Sequence, residues 1–223
     1  MIRVENLYKS YNSNIILEHV SIIIKEGEIA ILYGKNGVGK TTLIKCILGL
    51  INYHKGKINL SSSNKVGVVL NNEMLIKKLT VFEYLKFVCL LKEMKSEDFY
   101  FKIKKLINYF DLENDKNKLV EELSNGTKSK IKLIASIIFD PLIMILDEPF
   151  SGMDIVTIEK SVKLINKKAS EGCSILISSH NINIVKTIQA DLLILKDKTI
   201  KQKITHKEIN NLENLNTFLL NVI

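Results

Sequence analysis

Apolar residues along this chain follow two different periods. The stretches IAILY at 29–33, LIMIL at 142–146 and ILISS at 175–179 are apolar almost without interruption, and DLLIL at 191–195 is of the same kind. Runs this short and continuous suit strands buried on both faces, as in a parallel sheet with helices on either side. Between 81 and 110, VFEYLKFVCLLKEM and FYFKIKKLINYF space their apolar residues at helical intervals, with the polar KSED between them. Residues 155–169, IVTIEKSVKLINKKA, fit another helix, closed by Gly172. Strands and one helix are expected over 1–71, then a helical lobe, then a core that resumes near 130 with strands at 142–146, 174–178 and 191–195. No internal repeat or low-complexity linker interrupts this order, and the tail from about 205 is short for a separate regulatory domain. The fold class expected is α/β with a mostly parallel sheet.

Composition narrows the partners. A chain of 223 residues, 46% apolar and 25% charged, can bury a core of its own. No apolar run approaches the roughly 18 residues of a membrane span, and MIRVENLYKSY lacks the apolar segment of a signal peptide, so a cytoplasmic location is expected. Cys46, Cys89 and Cys173 are widely spaced and read as buried small hydrophobes. The net charge of +8 raises nucleic acid or an anionic membrane as partners. Yet the cations are dispersed lysines, with Arg3 the single arginine, and no basic block or stacked aromatic motif accompanies them. A solvated basic surface is the better reading; proximity to anionic lipid headgroups stays open.

The chemistry enters at GKNGVGKTT, residues 34–42, set between the strand 29–33 and the helical LIKCILGL. This is the G-x-x-x-x-G-K-[ST] phosphate loop in its strand–loop–helix context. Gly34, Gly37 and Gly39 let the backbone curl so that its N–H groups, with Asn36 and Thr42 in the same loop, can face β- and γ-phosphates. The dipole of the helix beginning near Lys40 adds to that attraction. Lys40 would reach the β/γ-phosphates and the Thr41 hydroxyl would coordinate Mg²⁺. A phosphate loop alone does not choose among GTPases, kinases, helicases and transport ATPases.

LIMILDEP supplies the next part: Asp147, at the end of a buried strand, can hold Mg²⁺ through water, and Glu148 can orient or deprotonate the attacking water. ILISSH ends in His180, at the carboxyl end of a parallel strand where ligands bind in open sheets; it can donate to a γ-phosphate. LSNGTKSK at 123–130 looks like a second anion-binding helix start, and SGMD follows at 151–154.

Phosphate loop, LSNG signature, paired acids, Ser-Gly-Met-Asp loop and histidine occur here in the order of the ATP-binding cassette (ABC) family, which the sequence resembles over nearly its whole length. The resemblance implies a P-loop NTPase fold with an N-terminal antiparallel β region and an inserted helical subdomain. It makes 1–223 a single ABC ATPase domain, with a catalytic core at 1–71 and 130–223 and a lobe carrying the signature at 72–129. It implies ATP and Mg²⁺ as cofactors, and Tyr11 as the aromatic stacked on adenine, with Tyr8 as competitor and a core tyrosine as the plain alternative. It implies a head-to-tail pair in which Ser124 and the Gly126 backbone of one subunit meet the γ-phosphate bound by the other. Ser124 is also simply a good N-cap, and both can hold.

Three departures from the family pattern stand out. Asn125 and Thr127 replace a glycine and the glutamine of Leu-Ser-Gly-Gly-Gln, and the Mg²⁺-sensing glutamine falls on Asn71, one methylene shorter. A glycine turn usual after the strand following His180 is replaced by Lys198-Thr199. The resemblance further implies a membrane permease as load, docked near Asn71 and residues 72–90, a second ATPase subunit, and export rather than import. Two alternatives remain: a family ATPase acting on ribosomes or nucleic acid, and a binding module that does not hydrolyse nucleotide.

Overall fold

The computed structural model describes residues 1–62, 65–71, 75–211 and 215–222. Among the described residues, nine strands form two sheets, accompanied by eight α-helices. The larger has six strands: β3 (Ile29–Tyr33), β5 (Val66–Val69), β6 (Ile143–Asp147), β7 (Ser174–Ser179), β8 (Asp191–Lys196) and β9 (Thr199–Ile204). Their order is β5-β6-β7-β3-β8-β9; the first five are mutually parallel and β9 returns antiparallel to β8.

The continuous apolar runs are explained by what covers each face. Along β3, Ile29, Ile31 and Tyr33 point into one core and Ala30 and Leu32 into another. β6 and β7 divide in the same way, Met144 and Leu146 against Ile143 and Ile145, and Ile175 and Ile177 against Leu176. The first core is completed by α4 (Asn125–Ile137), α5 (Ile155–Ser170) and the helical lobe. The second is closed by α1 (Lys40–Ile47) and a three-stranded antiparallel sheet. That sheet, in order β2-β1-β4, is built from β1 (Ile2–Tyr11), β2 (Asn14–Ile24) and β4 (Lys55–Leu60). Truncating a central residue such as Ile31 to Ala would leave a cavity and cost about 2–5 kcal/mol.

The lobe contains α2 (Val81–Leu91) and α3 (Ser96–Tyr109), so the polar KSED does not merely separate two helices: Ser96, Glu97 and Asp98 open the second one. Thr80 starts α2 with a reciprocal capping box, its hydroxyl accepting from Glu83 N–H while the Glu83 carboxylate accepts from Thr80 N–H. The boundary expected at 129/130 falls inside α4, which therefore carries lobe and core as one rigid rod. Gly172 closes α5 as the sequence suggests, its N–H donating to the Ala169 carbonyl at a φ of +96°. Short helices α6 (Ile182–Thr187), α7 (His206–Asn211) and α8 (Leu215–Val222) complete the chain.

Candidate functional site

The phosphate loop leaves the buried end of β3 and turns into α1 through Gly39, whose φ of +113° is open to glycine and costly for other residues. A Cβ there would also press on Ile16 of β2 at 3.1 Å, so the loop lies directly against the β1–β2 hairpin. Lys40 is only 6% exposed, and its Nζ donates to the carbonyls of Gly34 (2.7 Å) and Lys35 (3.1 Å). Burial pushes the Lys40 pKa down, against the pull of Glu148 and Asp147. An anion in the loop would relieve that desolvation, which makes Lys40 a cation poised for phosphate.

Facing it, the Thr41 hydroxyl donates to Asp147 Oδ2 at 2.8 Å. Asp147 is 1% exposed, and its Oδ1 accepts from the Ser178 hydroxyl at 2.5 Å. Glu148 follows in a left-handed conformation, φ +48°, and its carboxylate meets His180 Nδ1 at 2.7 Å. A cleft of about 200 Å³ is lined by Asn36, Gly37, Gly39, Lys40, Thr41, Thr42, Asn71, Asp147 and Glu148. Nine residues singled out in the sequence thus converge on one place. Gly34 lies beneath it through its bond from Lys40, and His180 joins it through Glu148.

Thr41 and Asp147, already in contact, and Asn71 all line this cleft and can offer a hydroxyl, a carboxylate and an amide as an oxygen donor set. It fits a hard cation such as Mg²⁺, which is held by few protein ligands together with phosphates and water.

Three predicted residues stand apart from the cleft. Tyr11 ends β1 with 47% of its surface exposed and Lys9 Nζ 4.6 Å from its ring centroid. Its competitor Tyr8 is engaged edge-on by the His54 ring at 6.1 Å, leaving Tyr11 the freer aromatic. Ser124 caps α4, accepting from Thr127 N–H at 3.1 Å, and also contacts the Thr127 hydroxyl at 2.9 Å. A Cβ on Gly126 would sit 2.3 Å from the Gly152 carbonyl, and the Ser129 hydroxyl donates to the Ser151 carbonyl at 2.7 Å. The signature helix is therefore packed on the SGMD loop of its own chain. Asp154 of that loop in turn caps α5 through Thr157.

A larger groove of about 520 Å³ runs from Asn71 and Leu75 past Lys128 and Lys132 of α4 to Glu148 and Ser151. Lys132 Nζ donates to the carbonyls of Leu70 (3.0 Å) and Asn71 (3.4 Å), tying α4 to the segment that follows β5. Of the expected docking stretch 72–90, residues 72–74 lie outside the described residues. Within the remainder, Leu75, Val81, Leu85 and Cys89 are buried, whereas Ile76, Phe87 and Leu90 are exposed.

The sequence reading assigned no role to Ser178. The available signal was its place directly after the apolar ILI and two residues before His180, at the carboxyl end of a parallel strand; in the structure it is fully buried in β7.

A family model described as ABC transporter matches residues 17–151. An uncharacterised ABC transporter ATP-binding protein of Methanocaldococcus jannaschii is 35% identical over 87% of this chain and 74% of its own length. The SkfA peptide export ATP-binding protein SkfE of Bacillus subtilis is 31% identical over 91% of this chain and 88% of its own. A solved ATP-binding subunit of an ABC transporter superposes with a TM-score of 0.87 at 25% identity, covering 95% of this chain and 92% of that one.

Proposed function

The chain belongs to the ABC transporter family, and from that premise we propose that it is the ATP-hydrolysing subunit of a transporter, working as a head-to-tail pair on a membrane permease. One observation carries this reading: Lys40, Thr41, Asp147 and Glu148 line a single cleft, as phosphoryl transfer to water requires. We read residues 1–223 as one ABC ATPase domain, with core 1–71 and 130–223 and lobe 72–129.

In this reading Lys40 and the N–H groups of residues 36–42 carry the phosphate charge, and Tyr11 stacks on the base. Thr41, Asp147 and Asn71, which line the cleft together, would hold Mg²⁺. The chemistry it would supply is neutralisation of charge on the phosphates during transfer. Glu148 orients and deprotonates the attacking water, with its carboxylate steadied by His180. The chain's one arginine, Arg3, lies in β1, so charge stabilisation has to come from elsewhere. Ser124 and the α4 N-terminus of a second subunit supply it in trans by hydroxyl, amide and helix dipole.

The peptide-export relative supports an exporter. No helix of the described residues is long and apolar enough to cross a membrane, which fits a subunit held at the inner face by its permease. No specific nucleic acid partner is proposed. Glu148→Gln tests the reading: turnover should fall at least about a hundredfold with nucleotide binding retained. Normal turnover would overturn the catalytic assignment.

A further inference from the structure

The geometry points to Ser178 as a positioning residue that sets both acids of the site through one hydroxyl. This rests on the reading above, in which Asp147 serves the metal and Glu148 the water. β6 and β7 run parallel with Asp147 opposite Ser178. The Ser178 hydroxyl donates to Asp147 Oδ1 at 2.5 Å and accepts from Glu148 N–H at 3.0 Å. A hydroxyl has one proton and two lone pairs, so it can serve a carboxylate and an N–H together where an alanine or valine would serve neither.

The consequences at the two acids differ. Asp147 is buried and has its other oxygen taken by Thr41, so the two hydroxyls together fix the carboxylate plane at the edge of the cleft. Removing Ser178 frees that plane to rotate and leaves a buried anion one donor short. Glu148 adopts φ +48°, which a residue with a Cβ holds only where its surroundings impose it. The imposing groups are the Ser178 hydroxyl and, more weakly, the Ser178 carbonyl at 3.3 Å from the same N–H. That backbone turn directs the Glu148 side chain to His180. The neighbouring Ser179 performs a separate task, accepting from Asn181 N–H at 3.0 Å. Ser174, at the other end of β7, is equally buried, and its hydroxyl has no hydrogen-bond partner. It offers a control in which the same atom is removed from the same strand.

The experiment compares Ser178→Ala, Ser178→Cys, Ser178→Thr and Ser174→Ala, with Glu148→Gln as reference. A hydrogen bond to a charged group is worth about 1.5–3 kcal/mol, so kcat of Ser178→Ala should fall roughly ten- to hundredfold, with KM for ATP within about threefold. Binding of a fluorescent ATP analogue in EDTA should be unchanged within about twofold, because the phosphate loop is untouched. Half-saturating Mn²⁺, read by electron paramagnetic resonance with a non-hydrolysable nucleotide, should rise several-fold, since Asp147 has lost its orientation. Ser178→Thr should recover most of both values and Ser174→Ala should match the parent. Ser178→Cys keeps the shape with a weak donor, and should behave like the alanine variant if that one does not fold. Parental kcat and Mn²⁺ affinity in Ser178→Ala or Ser178→Cys, with Glu148→Gln inactive, would overturn the role of Ser178 and leave the site reading standing. Parental turnover in Glu148→Gln would instead overturn the site reading itself.

Discussion

Tyr11 presents one face to solvent while Lys9 Nζ, itself held by the Asn52 carbonyl at 2.7 Å, sits 4.6 Å from the ring centroid. A cation behind an aromatic face fixes the ring and leaves the opposite face for a base. Tyr11→Ala should weaken ATP binding by about 1–3 kcal/mol, measured by calorimetry, whereas Tyr11→Phe should bind as the parent does. Gly126 carries a constraint that its proposed phosphate role does not explain, because an added Cβ would collide with the Gly152 carbonyl of the same chain. Gly126→Ala should therefore lower the melting temperature of the nucleotide-free protein. An unchanged melting temperature would show that the SGMD loop yields freely. His180 was expected to address a γ-phosphate; its Nδ1 is engaged by Glu148, which leaves Nε2 for that task.

At the scale of elements, the β8–β9 hairpin turns through Asp197 and Lys198 with φ of +46° and +71°. A two-residue turn with both φ positive is the geometry that Asn-Gly or Asp-Gly usually serves. The Lys198 carbonyl also accepts from Glu18 N–H at 2.8 Å, joining this hairpin to β2. Lys198→Gly relieves the strain and keeps that bond, so it should stabilise by about 0.5–1 kcal/mol in urea unfolding. The lobe is strapped to the core by Asp140, which pairs with Lys102 of α3 and Lys168 of α5. Burial raises the Asp140 pKa, but the hydrogen bonds from Lys102 and Lys168 together outweigh it, so the carboxyl sits below its usual value. A depressed carboxylate contributes stability above its unfolded pKa and loses it as pH falls through the lower folded value. Asp140→Asn should cost about 0.5–1 kcal/mol at pH 7 after solvent screening, and the difference should shrink as pH falls through the depressed folded pKa of Asp140.

For the whole molecule, the donors at the start of α4 are packed on their own SGMD loop, and Ser124 and Gly126 lie outside the cleft that gathers the phosphate loop and both acids. A second subunit would bring such donors to the phosphate, which makes assembly part of the catalytic proposal. Light scattering of Glu148→Gln with ATP should give a dimer, and adding Ser124→Arg should return it to monomer. A dimer unaffected by Ser124→Arg would remove the signature from the interface.

How much of this was written in the sequence follows from the range of the forces involved. The strands of the parallel sheet were legible because burial on both faces demands continuous apolar residues, and that demand is local. The phosphate loop, Asp147 and Glu148 were legible because their chemistry depends on neighbours in the chain. What could not be read were pairings between strands far apart in sequence. Ser178 meets Asp147 across 31 positions, Lys132 meets Asn71 across 61, and Asp140 joins two helices that each read simply as amphipathic. The capacity to bind nucleotide was thus determined by short stretches of sequence. The orientation of the acids, the seating of Gly126 and the anchoring of the lobe were decided only by tertiary structure, because each depends on a hydrogen bond, ion pair or close contact whose partner the topology supplies.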